Sequence, residues 1–190
     1  GDVYKRQSYA TAEAAGDDRA LFCGVNRTLD NDDVSTFKSG FAVAKFTNFK
    51  TDGSAGHDAT FPDADFFLMR AAEAYLNFAE ADARINGGQT TEEGTAAINA
   101  IRKRAHASTR EDKGYSLSDI CDEWSREFYF EGRRRMDLIR FNRYGGNVNY
   151  NWQWKGGTKE GRNFSENLNI FAIPTNELTS NKNLTQNPGY

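Results

Sequence analysis

The chain has 190 residues, and its 38% hydrophobic and 13% aromatic content is enough to bury one core, which excludes disorder throughout. The net charge is -3 with both signs interspersed, so the sequence lacks the clustered basic face of a nucleic-acid-binding protein. No run approaches the roughly 18 apolar residues of a membrane span, and the start lacks the apolar core of a secretory signal. We therefore expect either a cytoplasmic protein or a piece whose export signal lies upstream.

The cysteines and histidines do not form a metal-site pattern. Cys23 and Cys121 lie far apart without a CxxC pair, and His57 and His106 are the only histidines. We therefore expect no metal and no cofactor. Two isolated thiols are one interpretation of the cysteines, and a single long-range disulfide is the other.

Residues 1–64 are predicted to be an irregular segment that contains one strand. Residues 1–33 show little periodicity, whereas residues 40–49 alternate in the manner of a strand. A loop rich in Gly and Asp follows at 51–63. The opening GDVYKRQ, residues 1–7, resembles non-native read-through, so we interpret the segment as the continuation of a missing N-terminal region.

Residues 65–84 carry the clearest amphipathic pattern of the chain and predict its first helix. The residues expected on the buried face recur at three- and four-residue steps: Phe67, Ala71, Ala74, Tyr75, Phe78 and Ile85. The opposite stripe is polar and consists of Arg70, Glu73, Asn77, Glu80 and Arg84. On this stripe Arg70 with Glu73, and Glu80 with Arg84, have the spacing of ion pairs.

A second helix is predicted to begin at the capping-box pair Thr90 and Glu93 and to form an antiparallel hairpin with the first. Its apolar face is expected to contain Ala97, Ile101 and Ala105. The short NGG turn between the two helices supports this arrangement.

Two further helices follow, the third beginning at Ser116 with Asp119 and the fourth spanning residues 133–141. Four helices in pairs predict a mainly α fold of tetratricopeptide-like hairpins with long loops and a few short strands. Residues 142–169 are predicted to be a long loop, because Asn and Gly dominate there. Residues 169–174 predict a short buried strand, followed by one helical turn and an irregular tail.

Four ordered segments, at 66–81, 96–105, 127–141 and 171–190, together resemble the C-terminal part of the SusD/RagB family. On this resemblance residues 65–190 form the family's C-terminal helical region, with an aromatic loop at 142–169. The resemblance implies an N-terminally truncated nutrient-binding lipoprotein of the Bacteroidota outer membrane, exposed on the extracellular face. Such a protein is not an enzyme.

The resemblance also implies the partners of the protein. It would hold an oligosaccharide, or another nutrient, over a SusC-like TonB-dependent transporter. Its membrane contact would be an N-terminal lipid anchor that this chain lacks. A helical-repeat module that binds a protein and no sugar is the alternative function.

A charged cluster surrounds Gly132. We interpret the cluster as structural ion pairing that caps and joins helices, with a partner contact and glycoside hydrolysis by paired carboxylates as alternatives. Its members are Arg70, Glu73, Glu127, Glu131, Arg134, Asp137 and Arg140, with Arg133 and Arg135 beside them.

The segment NYNWQW, residues 149–154, is the candidate ligand site. In an extended segment Tyr150, Trp152 and Trp154 would project to one face and stack on sugar rings. The amides of Asn149, Asn151 and Gln153 would then bind hydroxyl groups. The alternatives are that the rings pack on the helical scaffold or contact the transporter.

Overall fold

The structure is a computed structural model that describes residues 16–58, 60–146 and 149–190. It divides the chain into two compact units, Gly1–Glu131 and Gly132–Tyr190. The fold is mainly helical with a few short strands, as the sequence predicts. Residues 1–7, interpreted above as read-through, lie outside the described residues. Within the described part no helix has the length and apolar character needed to cross a bilayer.

The helices of the first unit are α1 (Ala71–Ile85), α2 (Glu92–Arg104) and α3 (Leu117–Phe128). Helix α1 packs against both α2 and α3. The predicted apolar face of α2 is confirmed, since Ala97, Ile101 and Ala105 are buried. Helix α2 starts after Thr91, one residue later than predicted, because the Thr90 hydroxyl accepts a hydrogen bond from the Tyr115 amide.

The predicted buried face of α1 is wrong. Tyr75 and Phe78 are about half exposed, at 48% and 53%, and Ile85 is exposed. The buried side chains are Ala72, Leu76, Ala79 and Ala83. These residues recur at the same three- and four-residue steps, so spacing alone permits either face. The observed face consists mainly of alanines, which let the packed helices approach closely.

The predicted start of α1 at residue 65 is also wrong, because the helix begins at Ala71 and Arg70 has extended backbone. The guanidinium group of Arg70 binds Glu127 and Glu131, which follow far along the chain. Phe66, Phe67, Leu68 and Met69 are exposed and lie outside the helix. Arg70 forms its ion pairs with Glu127 and Glu131 and not with Glu73 as predicted. The predicted pair of Glu80 and Arg84 does form.

Helix α3 begins as predicted, with a capping box formed by Ser116 and Asp119. Its buried indole, Trp124, donates a hydrogen bond to Glu80 of α1 at 2.9 Å. Strands β1 (Phe22–Cys23) and β2 (Ala42–Val43) form one short antiparallel pair. The strand predicted over 40–49 is therefore much shorter than expected. Both cysteines are free thiols, which confirms the first interpretation of the pair.

The second unit contains α4 (Arg134–Arg140) and α5 (Thr175–Ser180), with short 3-10 turns at Lys155–Gly157 and Glu166–Asn169. The strand predicted at 169–174 is absent from the described residues of this unit, and Ile170 and Phe171 are exposed. The Gln186 side chain donates to the carbonyl of Ile173 and accepts from its amide. The side chain thus takes the place of a neighbouring strand.

Candidate functional site

The aromatic cluster of the second unit consists of Tyr144, Tyr150, Trp152 and Phe164 around Lys155. The rings of Tyr144 and Trp152 are stacked, with centroids 6.4 Å apart, and Tyr150 meets Trp152 edge-on at 6.3 Å. Tyr144 also meets Phe164 edge-on at 5.0 Å. Each ring is therefore fixed by another ring rather than held by the backbone alone.

Lys155 holds the aromatic cluster from within. It is 1% exposed, and its ammonium group lies 4.8 Å from the Trp152 ring centroid and 5.3 Å from that of Phe164. The same group donates hydrogen bonds to the Tyr150 carbonyl and the Asn163 side chain, at 2.6 and 2.9 Å. Burial lowers the pKa of Lys155, because the charged form loses its hydration. A cation between two rings is a stabilising arrangement that sequence spacing did not reveal.

The chain turns after Trp152, so one extended segment does not carry all three predicted rings. Trp154 has a φ of 67°, in the left-handed region, and begins the turn at Lys155–Gly157. Gly161 lies so close to the Trp152 backbone that a Cβ would not fit. Tyr150 and Trp152 remain together in the cluster and are half-buried, whereas Asn149, Asn151 and Gln153 are exposed. The site thus presents two aromatic rings beside exposed amides.

The charged residues of the first unit form a second site, the Glu127 network. Glu127, with a side chain only 2% exposed, accepts from Arg19 at 3.1 Å, Arg70 at 2.7 Å and Arg104 at 2.6 Å. Glu131 accepts from Lys45 and Arg70 at 2.5 and 2.8 Å. The predicted Arg70, Glu127 and Glu131 are thus brought together.

The sequence did not reveal the other cations of the network, Arg19, Lys45 and Arg104, because they come from separate segments. The signal that could have revealed these cations is chemical, because buried carboxylates such as Glu127 and Glu131 need cationic partners. Glu73, by contrast, lies in the first turn of α1.

The remaining predicted cluster residues lie in the second unit. Asp137 is buried and its carboxylate lies 3.0 Å from Arg140 and 3.5 Å from Arg133. These contacts are ion pairs without hydrogen-bond geometry, because both carboxylate oxygens have no hydrogen-bond partner among the described residues. Arg134 donates to the Tyr150 hydroxyl at 3.0 Å, so it supports the aromatic cluster.

The electrostatics of Glu127 limit its chemistry. Burial would raise the pKa of Glu127, but hydrogen bonds from Arg104 and Arg70 outweigh burial and lower that pKa to about 2. A carboxyl group with this pKa is ionised at neutral pH, so it lacks the proton that a general acid donates in glycoside hydrolysis. Burial would raise the pKa of Glu131 as well, but hydrogen bonds from Arg70 and Lys45 outweigh burial and lower that pKa. Among the residues described, no group of three or more His, Cys, Asp or Glu is arranged to hold a metal ion.

Comparison with known proteins identifies one family. The SusD family profile matches residues 2–190. The starch-binding protein SusD of Bacteroides thetaiotaomicron is 43% identical over 182 residues, which cover 94% of this chain and 32% of SusD. The chain therefore spans about a third of the length of this curated relative.

Two solved structures are similar to the chain. A laminarin-binding SusD-like protein is 26% identical with a TM-score of 0.53, and the match covers 80% of this chain and 29% of that protein. A SusD homologue from Bacteroides thetaiotaomicron is 23% identical with a TM-score of 0.59, and the match covers 98% and 37% of the two chains. The second similarity supports the fold alone.

Proposed function

Because the chain belongs to the SusD family, we propose that it binds a glycan and leaves its bonds intact. The observation that carries the proposal is the pair of half-buried rings, Tyr150 and Trp152, fixed by Lys155 beside exposed amides. Aromatic faces stack on the apolar CH patches of sugar rings, and amides bind hydroxyl groups through paired donors and acceptors. A ring pair that is fixed before binding loses little conformational entropy when the sugar arrives.

The relatives support a glucan as the first ligand to test. One relative binds starch and another binds laminarin, according to their names, and both polysaccharides are polymers of glucose. We further propose delivery of the glycan to a SusC-like TonB-dependent transporter at the extracellular face of the outer membrane. This part rests on family membership. Its test is co-purification of the tagged protein with the transporter from outer membranes.

Calorimetric titration of the purified chain with maltoheptaose and with laminarihexaose tests glycan binding. We expect saturable binding of at least one of them, and an affinity about tenfold lower in Trp152→Ala, which corresponds to about 1.4 kcal/mol. Asn151→Ala removes an exposed amide without disturbing a ring, so a smaller loss of affinity is expected there.

Phe37→Ala is the matched control, because Phe37 is an exposed ring in the other unit. Its affinity should equal that of the unchanged chain. The proposal is wrong if Trp152→Ala keeps full affinity while its near-ultraviolet circular dichroism shows a folded cluster, or if neither oligosaccharide binds.

A second candidate function is a helical-repeat module that binds another protein. An open groove of about 460 Å³ is lined by Tyr75 and Phe78 of α1 and by Ala96 and Ala97 of α2. Small residues beneath two exposed rings suit an amphipathic helix of a partner protein, which lays its apolar face into such a groove. Tyr75→Glu would abolish partner binding and leave glycan affinity unchanged, which separates the two functions by calorimetry.

A further inference from the structure

A separate cavity in the first unit adjoins the Glu127 network. Its volume is about 360 Å³, within the range of roughly 300–1,000 Å³ that small-molecule sites occupy. The lining contains charged groups of the network and the rings of Phe46 and Phe67. Phe46 is 45% exposed and Phe67 is 60% exposed, so each ring has a free surface.

The carboxylates that line the cavity already have partners. Glu127 Oε1 accepts from Arg70 and Arg104, and its Oε2 accepts from Arg19 and Arg104. Glu131 Oε1 accepts from Lys45 and Arg70, and its Oε2 accepts from Arg70. The network carboxylates therefore have little capacity left to accept hydrogen bonds from a ligand.

The hydrogen-bonding capacity that remains in the network belongs to donors, chiefly Arg104. Its Nη2 binds Glu127, whereas its Nη1 and Nε have no hydrogen-bond partner in the described part of the chain. The Arg104 side chain is 53% exposed, so a ligand in the cavity can reach these atoms. Lys45 contributes nothing more, because its ammonium group already donates to two carbonyls and to Glu131.

The lining also has an excess of positive charge. It contains four cations, Arg19, Lys45, Arg70 and Arg104, against three carboxylates, Asp18, Glu127 and Glu131. Asp18 is half exposed and its carboxylate lies 2.5 Å from Nδ1 of His106. Asp17 and Glu123, which do not line the cavity, also pair with Arg19. The attraction for an anionic group therefore comes from Arg104, which keeps free donors.

We propose that this cavity binds an acidic sugar unit, with its anionic group at Arg104 and its ring against Phe46 and Phe67. The free Nε and Nη1 of Arg104 can each donate a charge-assisted hydrogen bond to an oxygen of a carboxylate or sulfate group. The aromatic rings suit the CH face of a pyranose. The site goes beyond the proposed function, because it uses none of residues 149–154 and lies in the other compact unit.

Ligand-observed NMR and calorimetry on the purified chain test the site with three probes. Methyl β-D-glucuronide carries a carboxylate, glucose 6-sulfate carries a sulfate ester, and methyl β-D-glucoside is neutral. We expect at least one acidic probe to bind with millimolar affinity, and the neutral probe to bind at least about tenfold more weakly. Binding of both acidic probes assigns the site to anions in general, whereas binding of the glucuronide alone assigns it to carboxylates. Added salt should weaken binding, because Arg104 is half exposed.

The variant Arg104→Gln should lower the affinity for the acidic probe about tenfold. Lys103→Gln is the matched control, because it removes the same charge from the adjacent exposed position of α2. Phe67→Ala is a second variant that leaves every ion pair of the network in place, and it should lower the affinity for each acidic probe that binds the unchanged chain. Trp152→Ala should leave the affinity for the glucuronide unchanged. The proposal for this cavity and the proposal for the glycan site are therefore tested independently.

Three outcomes would overturn the proposal. One is saturation by the neutral glucoside at the same concentration as the glucuronide. Another is equal affinity in Arg104→Gln and Lys103→Gln, with both variants folded by circular dichroism. The third is the absence of binding by either acidic probe at about 20 mM, well above the expected dissociation constant.

Discussion

At the scale of single residues, Glu127 shows how a buried carboxylate remains charged. Removal from water disfavours the ionised form, yet guanidinium groups from Arg19, Arg70 and Arg104 surround it. The hydrogen bonds that they donate are charge-assisted and stronger than neutral ones. Loss of one donor would leave the carboxylate underpaired, and this cost exceeds the net contribution of an intact pair.

The variant Arg70→Met tests this asymmetry. Removal of the guanidinium group leaves both Glu127 and Glu131 short of donors, so we expect the free energy of unfolding to fall by about 3 kcal/mol. Lys103→Met, at an exposed position, should stay within about 0.5 kcal/mol of the unchanged chain. Urea unfolding at pH 7 measures both values. Equal stability of the two variants would contradict the structural role of Arg70.

The pH dependence of stability follows from the same carboxylate. The pKa of Glu127 falls from an ordinary value of 4.5 to about 2 in the folded chain, so its contribution to stability is fully present above about pH 4.5. It is lost as the pH falls toward 2, and the loss amounts to about 3 kcal/mol. Urea unfolding at pH 7, 5 and 3 should show this decline.

Glu127→Gln provides the control for the pH prediction, because the amide does not titrate. Its stability at pH 7 should be lower, and the decline between pH 5 and pH 3 should be smaller than in the unchanged chain. A decline of the same size in both proteins would assign the pH dependence to other carboxylates.

At the scale of elements, local signals predicted the start of α3 and the buried face of α2, but they misplaced both the start and the buried face of α1. The Ser116 and Asp119 pair fixed the start of α3, because capping is a contact between residues three apart. The face that α1 buries depends on α2 and α3, and both of its candidate stripes have helical spacing. The missing strand near Ile173 has a similar cause, since a side chain from position 186 satisfies its backbone. Partners from other segments of the chain decided both of these features.

The capping box itself gives the prediction at this scale. Ser116→Ala removes the side-chain acceptor for the Asp119 amide, so we expect a loss of about 1 kcal/mol in the free energy of unfolding. Ser125→Ala changes a serine in the middle of the same helix and should change stability by less than about 0.5 kcal/mol. Thermal unfolding followed by circular dichroism compares the two variants. A larger loss in Ser125→Ala would show that the cap contributes little.

At the scale of the whole molecule, the two compact units carry different proposed roles. The Glu127 network lies in Gly1–Glu131 and the aromatic cluster in Gly132–Tyr190. The sequence pointed to Tyr150 and Trp152 of the cluster and to Arg70, Glu127 and Glu131 of the network. It did not predict Lys155 inside the aromatic cluster, since a buried lysine between rings has no local pattern.

Because the two proposed roles lie in different units, we expect a variant that lowers stability through the first unit to keep its glycan affinity. Arg70→Met changes the first unit, so at a temperature where it stays folded it should bind maltoheptaose within about twofold of the unchanged chain, a difference of about 0.4 kcal/mol. Gly161→Ala places a Cβ against the Trp152 backbone at a φ of 75°, which displaces the ring that we propose for glycan contact. Its affinity should therefore fall about tenfold.

Gly157→Ala completes this experiment, because Gly157 also has a positive φ but faces open space. The backbone strain is similar in the two glycine variants, and only Gly161→Ala adds the clash with Trp152. Calorimetry should therefore give a larger loss of affinity for Gly161→Ala than for Gly157→Ala. If both glycine variants lose affinity equally, strain in the loop explains the effect and the position of Trp152 does not. If Arg70→Met loses affinity as strongly as Gly161→Ala, the first unit must take part in binding the glycan.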